Sequence, residues 1–397
     1  MSDAPRRDLL PALTGLRFCA ALHVVAHHLR SSKLVDFTPW PVLDRFVERG
    51  GTAVGLFFVL SGFILAYTYA APRDRESSSV WNFYRARFAR IYSVYVLALI
   101  ATAPFFLAQL SRSGFGPTSS TTLYYGGLAT GLLQAWVPEA VLLWNPPGWS
   151  LSAEAFFYLL FPVAIGLLRP LNRGALSIVA VICWLLALAP TAAALYATEA
   201  VRGLADRPDV WIVAVLKYNP LLRLPEFLFG AALGLSYVRS SAAVESSPQP
   251  RGGLTADLSA MAVVAALALL PTAVVGWCPN VELFIHNGLL APLFGLLIWQ
   301  LARGRGAVSR VLSTAPLLLL GEASYALYLL HTPVILYLRT TLIELRSQPM
   351  NSAAVAAMAV VVSIFVSVIV YLRFEVPMRR RLRGRAEAPA PSVLVTQ

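Results

Sequence analysis

Runs of about twenty apolar residues recur along this chain, and that recurrence limits what it can fold into more than any other feature. About 20 such residues carry a helix across the hydrocarbon of a bilayer. Ten runs qualify, near Leu9–Leu29, Thr52–Ala71, Ile91–Leu110, Trp149–Leu168, Leu176–Ala197, Asn219–Val238, Leu254–Val275, Leu283–Ala302, Pro316–Leu338 and Ser352–Leu372. Only 13% of the 397 residues are charged and 57% are hydrophobic, against about 25% charge in a soluble domain. The sequence predicts an all-α, polytopic integral membrane protein with about ten transmembrane helices.

Charge arranges those spans. The net charge of +12 is that of a nucleic-acid binder, but arginines flanking apolar runs have a simpler cause, since they collect on the cytoplasmic side. Ten spans with a cytoplasmic N-terminus place most of the 32 basic residues inside, including Arg379, Arg380, Arg381, Arg383 and Arg385 of the tail. Residues 1–377 then form the membrane unit and 378–397 a basic, disordered cytoplasmic tail, in a multi-pass protein of the cell membrane. Leu123–Trp144 is also apolar but holds Gly126, Gly127, Gly131 and Pro138. It reads as a re-entrant segment or an eleventh span, and the latter would put the basic tail outside. The first run is too long and too polar for a cleaved leader. Ser240–Gly253 reads as a linker. Cys19, Cys183 and Cys278 have neither disulfide-framework nor metal spacing, so no metal and no permanently bound cofactor are expected.

The first run carries Arg17, His23, His27 and His28. Arg17 and His28 are eleven residues apart, which returns a helix to nearly the same face ~16 Å further along. A guanidinium and an imidazole on one stripe suggest a polar passage rather than lipid contact; snorkelling at the interface is the plainer alternative. Arg87 and Arg90, at i and i+3 beside the third span, can fork onto one phosphate or serve only topology. In the stretch Asn145–Pro162, Pro146, Pro147 and Gly148 stop a helix and Ser150 or Ser152 can cap the next. Glu154 follows in the first turn, expected on the outer side, as a base, an orienter of a histidine or a partner of the helix N-terminus. Tyr325, Tyr328 and His331 share one face of the ninth span. Small residues in Gly50–Tyr67 point to close helix packing.

Together these stretches resemble the membrane acyltransferase family 3. The marks are R-x10-H at Arg17 and His28, the block Gly51–Phe63, R-x-x-R at Arg87 and Arg90, W-S-L-S-x-E at Trp149–Glu154, and S-Y-A-L-Y-L-L-H-x-P at Ser324–Pro333. The resemblance covers nearly the whole chain. It implies a ten-helix O-acyltransferase using acyl-coenzyme A, usually acetyl-coenzyme A, with His28 as the essential histidine and Arg87 and Arg90 on the donor. Some members add an extracytoplasmic hydrolase domain, for which this sequence leaves no room.

On that basis His28, Arg17 and Glu154 are the expected catalytic residues. His28 acts as general base or as the carrier of an acyl group, and Arg17 binds donor or steadies an oxyanion. Trp149, Ser152, Tyr325, Tyr328 and His331 are assigned to substrate, with Glu154 and His331 orienting His28 or holding the acceptor. The acceptor is a hydroxyl of a glycan, glycolipid or macrolide-like molecule; membrane lipids are partners and nucleic acid is not. The competing reading is a secondary transporter or flippase of a polar or lipid-linked sugar.

Overall fold

A computed structural model describes residues 10–34, 39–70, 80–197, 211–244, 253–274, 281–344 and 352–383. Every regular element among them is a helix. In chain order they are α1 Pro11–Ser31, α2 Pro41–Glu48, α3 Ala53–Tyr69, α4 Val80–Arg112, α5 Ser120–Thr130 and α6 Gly148–Leu168. There follow α7 Arg173–Ala197, α8 Trp211–Tyr218, α9 Pro220–Val244, α10 Gly253–Val274, α11 Val281–Phe284 and α12 Ala291–Ala302. The last are α13 Ala307–Leu312, α14 Ala315–Glu322, α15 Ser324–Glu344, α16 Ser352–Val370 and α17 Val376–Arg383.

Seven stretches are long and apolar enough to cross a membrane, or eight if α14 and α15, bent by 63° at their junction, make one span. Among the described residues the expected count of ten is therefore not reached. α1 has the length, yet it carries the ionisable residues of the first run, and the apolar part of α10 is only Asp257–Leu269. The open question over Leu123–Trp144 resolves against a crossing. It holds the 11-residue α5, ~16 Å long, and then turns. The linker over 240–253 lies mostly outside the described residues, as does the tail from 384. The boundary drawn at residue 378 falls within α17, where the Arg85 side chain donates to the Leu382 carbonyl (2.6 Å) and ties this helix to α4.

Lipid is as apolar as leucine, so helices in a membrane gain by close approach rather than by escaping water. Glycine supplies that approach where α3 meets α9: a Cβ on Gly62 would sit 2.0 Å from the Phe227 carbonyl oxygen, and one on Gly230 2.0 Å from that of Val59. Gly321 does the same for α14 against α1, 2.1 Å from the Thr14 oxygen. Outward faces stay apolar and exposed, as at Ile178, Ile182 and Leu185 of α7 and Val361, Phe365 and Ile369 of α16, the inverse of a water-soluble surface. The polar residues are gathered inside.

Candidate active site

α1 and α15 run side by side in the same direction, with Thr14 of α1 against Gly321 of α14 at one end. Toward the other end His28 and His331 meet, with His331 Nε2 2.8 Å from His28 Nδ1 and ring centroids 4.9 Å apart. Along α15 the face continues inward through Tyr328, Tyr325 and, across the bend, Glu322 of α14. Along α1 it continues to Arg17, which lies within electrostatic reach of Glu322, Glu375, Glu154 and Arg90. Eleven residues of α1 separate the two ends by ~16 Å. His28, Arg17, Arg90, Glu154 and Tyr325 all lie deep in the bundle yet keep accessible surface. These side chains are deep in the bundle without being sealed.

The histidine end has one consistent protonation. A carbonyl oxygen only accepts, so His331 Nδ1, 3.1 Å from the Leu327 carbonyl, carries its proton there. His331 Nε2 is then the acceptor, and His28 Nδ1–H donates to it. Thr332 Oγ1, at 3.5 Å from His331 Nε2, is too distant to compete with that bond. The Val24 carbonyl also bonds the His28 ring and, as an acceptor, can only meet the same Nδ1–H, which leaves His28 Nε2 as a bare lone pair. Of the other histidines of α1, His23 is held by the Phe46 carbonyl (2.6 Å) and stacks on the Phe46 ring, a packing role. His331 is fully buried and both its nitrogens are engaged. Its Nδ1 is taken by the Leu327 carbonyl and its Nε2 by His28.

The arginine end is formed where α4, α6, α14 and the π-helical turn Tyr371–Glu375 converge on α1. α4 begins eleven residues before the apolar run expected from the sequence, so Arg87 and Arg90 sit within a continuous helix rather than at its mouth. Arg90 has Tyr158, Glu154, Glu375 and Glu322 around it. Arg87 lies 5.8 Å from the Phe83 ring and 5.7 Å from that of Tyr158, and its buried Nε has no partner among the described residues. Arg379 of α17 donates to Glu375 (3.3 Å).

Three expectations are corrected by this geometry. Glu154 is not beside His28. It lies in the second turn of α6, where Ser61 (3.2 Å) and the Tyr158 hydroxyl donate to it, and it belongs with Arg17 and Arg90. Gly148 is already helical, so the residue sits deeper than a first-turn position. Arg17, ~16 Å from His28 along the same helix, is too far to steady an oxyanion formed at that imidazole. Ser152 is closed off: only 1% exposed, its hydroxyl donates to the Leu132 carbonyl (2.6 Å), pinning a residue whose φ is +58°.

The hydroxyls of the two tyrosines are engaged within the protein. Tyr325 donates to the Ile91 carbonyl (2.6 Å); Tyr328 Oη lies 2.8 Å from Ser150 Oγ and 3.2 Å from the Pro147 oxygen. Trp149 is buried against Phe58 and Tyr218.

A second polar centre was assigned no role from the sequence. The helix between α11 and α12 breaks at Asn287 (φ −101°, ψ 39°) and Gly288 (φ +95°). The break frees the His286 carbonyl, and Arg223 Nη1 donates to it (2.5 Å) and to Asn287 Oδ1 (3.0 Å). Arg223 also pairs with Glu226 at 2.9 Å, both residues 1% exposed. A charged residue within an apolar run was the available signal, and Arg223 was such a residue.

The family model described as "Acyltransferase domain", of the acyltransferase-3 family, matches residues 10–372. Among curated proteins, the chain is 32% identical over 357 residues to acyltransferase MdmB of Streptomyces mycarofaciens, covering 84% of this chain and 81% of that protein. It is 24% identical over 396 residues to the peptidoglycan O-acetyltransferase OatA of Listeria monocytogenes, covering 94% of this chain and 56% of that one. With O-acetyltransferase OatA of Staphylococcus aureus the figures are 22% over 358 residues, 84% and 52%, so the chain spans about half the length of the OatA proteins. No solved structure matches.

Proposed function

Since the chain belongs to the acyltransferase-3 family and is an acyltransferase rather than a transporter, we propose that it moves an acyl group, acetyl by default, from acyl-coenzyme A to a hydroxyl of a glycan, glycolipid or macrolide-like acceptor. The observation that carries this reading is the bare Nε2 of His28 at one end of a line of deep but unsealed side chains, read here as a passage, with Arg17, Arg90 and, beside Tyr158, Arg87 at the other end.

The residues divide the work by distance. Arg87 and Arg90 bind the phosphates of coenzyme A at the cytoplasmic end, where planar guanidiniums suit phosphate, and Arg17 stands further along the donor's path. Glu154, Glu322 and Glu375 hold these arginines apart until the anionic donor arrives. The flexible arm of the donor runs between α1 and α15 and delivers the thioester to His28. There the acceptor oxygen attacks the carbonyl carbon as Nε2 takes the hydroxyl proton. Collapse breaks the C–S bond, and coenzyme A leaves as the thiol with the proton returned from the imidazolium. His331 holds His28 in the tautomer that leaves Nε2 free. Tyr325, Tyr328 and Trp149 shape the walls.

The basic residues beside α4 and on α17 suit a cytoplasmic surface, and in this reading both termini are cytoplasmic and the membrane is the cell membrane. The relative named peptidoglycan O-acetyltransferase fits an acetyl donor and a glycan hydroxyl. The test is acetyl-coenzyme A cleavage by the purified protein in detergent. His28→Ala abolishes turnover with donor affinity retained, while the double variant Arg87→Ala, Arg90→Ala weakens donor binding. Full activity in the His28 variant would reject the assignment.

A further inference from the structure

The broken helix at Asn287–Gly288 does more than interrupt a span. Arg223 can only donate, so Asn287 Oδ1, 3.0 Å from Nη1, is fixed as an oxygen, and its amide nitrogen donates to Thr191 Oγ1 (2.8 Å). His286 Nδ1 lies 3.2 Å from that same oxygen and therefore carries its proton there. His286 Nε2 is left as a lone pair with no described partner. This is the arrangement of His28 reached by different residues: a fixed acceptor locks Nδ1–H, and Nε2 is offered to the interior.

The two imidazoles belong to one region. His27, whose ring centroid is 5.3 Å from that of His28, is within electrostatic reach of His286. Trp149 lies 6.3 Å from the His286 ring and Tyr218 lies 6.0 Å from it. The neighbour of Trp149, Ser150, bonds Tyr328, which is one turn from His331. His286 and Tyr218 are deep yet keep accessible surface, and no described residue pairs with the Tyr218 hydroxyl. Between α1 and the broken helix the backbone is open: a side chain at Gly51 would meet nothing within 4 Å. The 2.5 Å bond from Arg49 to Glu282 ties the two walls together beside that gap.

We propose that this space is the acceptor chamber, and that His286 Nε2 and the Tyr218 hydroxyl hold a second hydroxyl of the acceptor while the first is presented to His28. The ligand class is a neutral ring carrying at least two hydroxyls, such as a pyranose, with Trp149 and Tyr218 as the aromatic wall that suits a sugar face. The lining supplies hydrogen-bonding groups and rings; of the charges around it, Arg223 pairs with Glu226 and Arg49 with Glu282, and Lys217 is within electrostatic reach of His286. Arg223, Glu226 and Asn287 are positioning residues that fix the tautomer of His286. The assignment rests on His28 as the reacting base.

Binding and turnover are read separately, using the full-length protein in detergent and methyl glucoside as the acceptor probe. Saturation-transfer NMR reports binding of the sugar without any reaction. Wild type is expected to transfer saturation to the ring protons, and His28→Ala, which loses its own single bond to the first hydroxyl, to keep detectable transfer while losing all turnover. His286→Leu weakens binding about three- to tenfold, the worth of one neutral hydrogen bond. His286→Gln, which keeps an acceptor near the place of Nε2, restores most of it, a recovery that a packing role would not show. Undiminished binding in His286→Leu, or no transfer in the wild type, overturns the chamber. Normal sugar binding in a wild type that leaves acetyl-coenzyme A intact would instead overturn the acyl-transfer reading and spare the chamber.

Discussion

Replacing His331 by leucine separates the role of the histidine pair from every other contribution to turnover. The substitution keeps an apolar side chain in a fully buried site and removes the acceptor 2.8 Å from His28 Nδ1. The Val24 carbonyl still reaches the His28 ring, so the tautomer with its proton on Nδ1 loses one of two acceptors, a net hydrogen bond worth about 0.5–1.5 kcal/mol. That loss shifts the proton toward Nε2, the position that must be empty to receive one from the acceptor. At 1.36 kcal/mol per factor of ten, kcat falls about 2- to 13-fold, with the KM for acetyl-coenzyme A unchanged, because the arginines lie at the far end of the passage. His331→Gln keeps an oxygen near the place of Nε2 and retains most of the rate. The assay is release of free coenzyme A thiol under saturating donor, with the melting temperature of each variant measured alongside. Wild-type kcat in His331→Leu, or equal loss in the leucine and glutamine variants, would refute the argument that His331 acts by setting the tautomer of His28.

Two further outcomes test the packing around the site. Gly62→Ala puts a methyl carbon 2.0 Å from the Phe227 oxygen, so α3 and α9 must part; overpacking of this kind costs about 1–3 kcal/mol, read as a lower melting temperature in detergent, and an unchanged melting temperature would contradict the close approach. Ser152→Ala removes the hydrogen bond that pins Leu132, which predicts a loss of about 1 kcal/mol with donor and acceptor KM unaltered; a raised acceptor KM would return Ser152 to the substrate.

The membrane class, the helical architecture and the pairing of Arg17 with His28 on one face were fixed by composition and by helical periodicity, which are local properties of the chain. The same holds for the column Tyr325, Tyr328, His331: spacing on one helix sets which residues share a face whatever packs against it. What packs there is not local. That His331 meets His28 across 303 positions could be guessed from their shared depth, but the direction of the proton between them follows only from the Leu327 carbonyl. Glu154 was misplaced because its helix starts earlier than the proline pair suggested, and one extra turn moves a carboxylate from the imidazole to the arginines. Ser152 looked like a ligand until the loop at Leu132 supplied its partner. The broken helix left only the faint trace of Asn287–Gly288, since a glycine in an apolar run usually marks close packing. Only folding brought Arg223 to the freed carbonyl and showed the break to be a built feature. Periodicity determines which side chains look the same way, and tertiary packing decides which hydrogen-bonding groups are consumed and which are left facing a substrate.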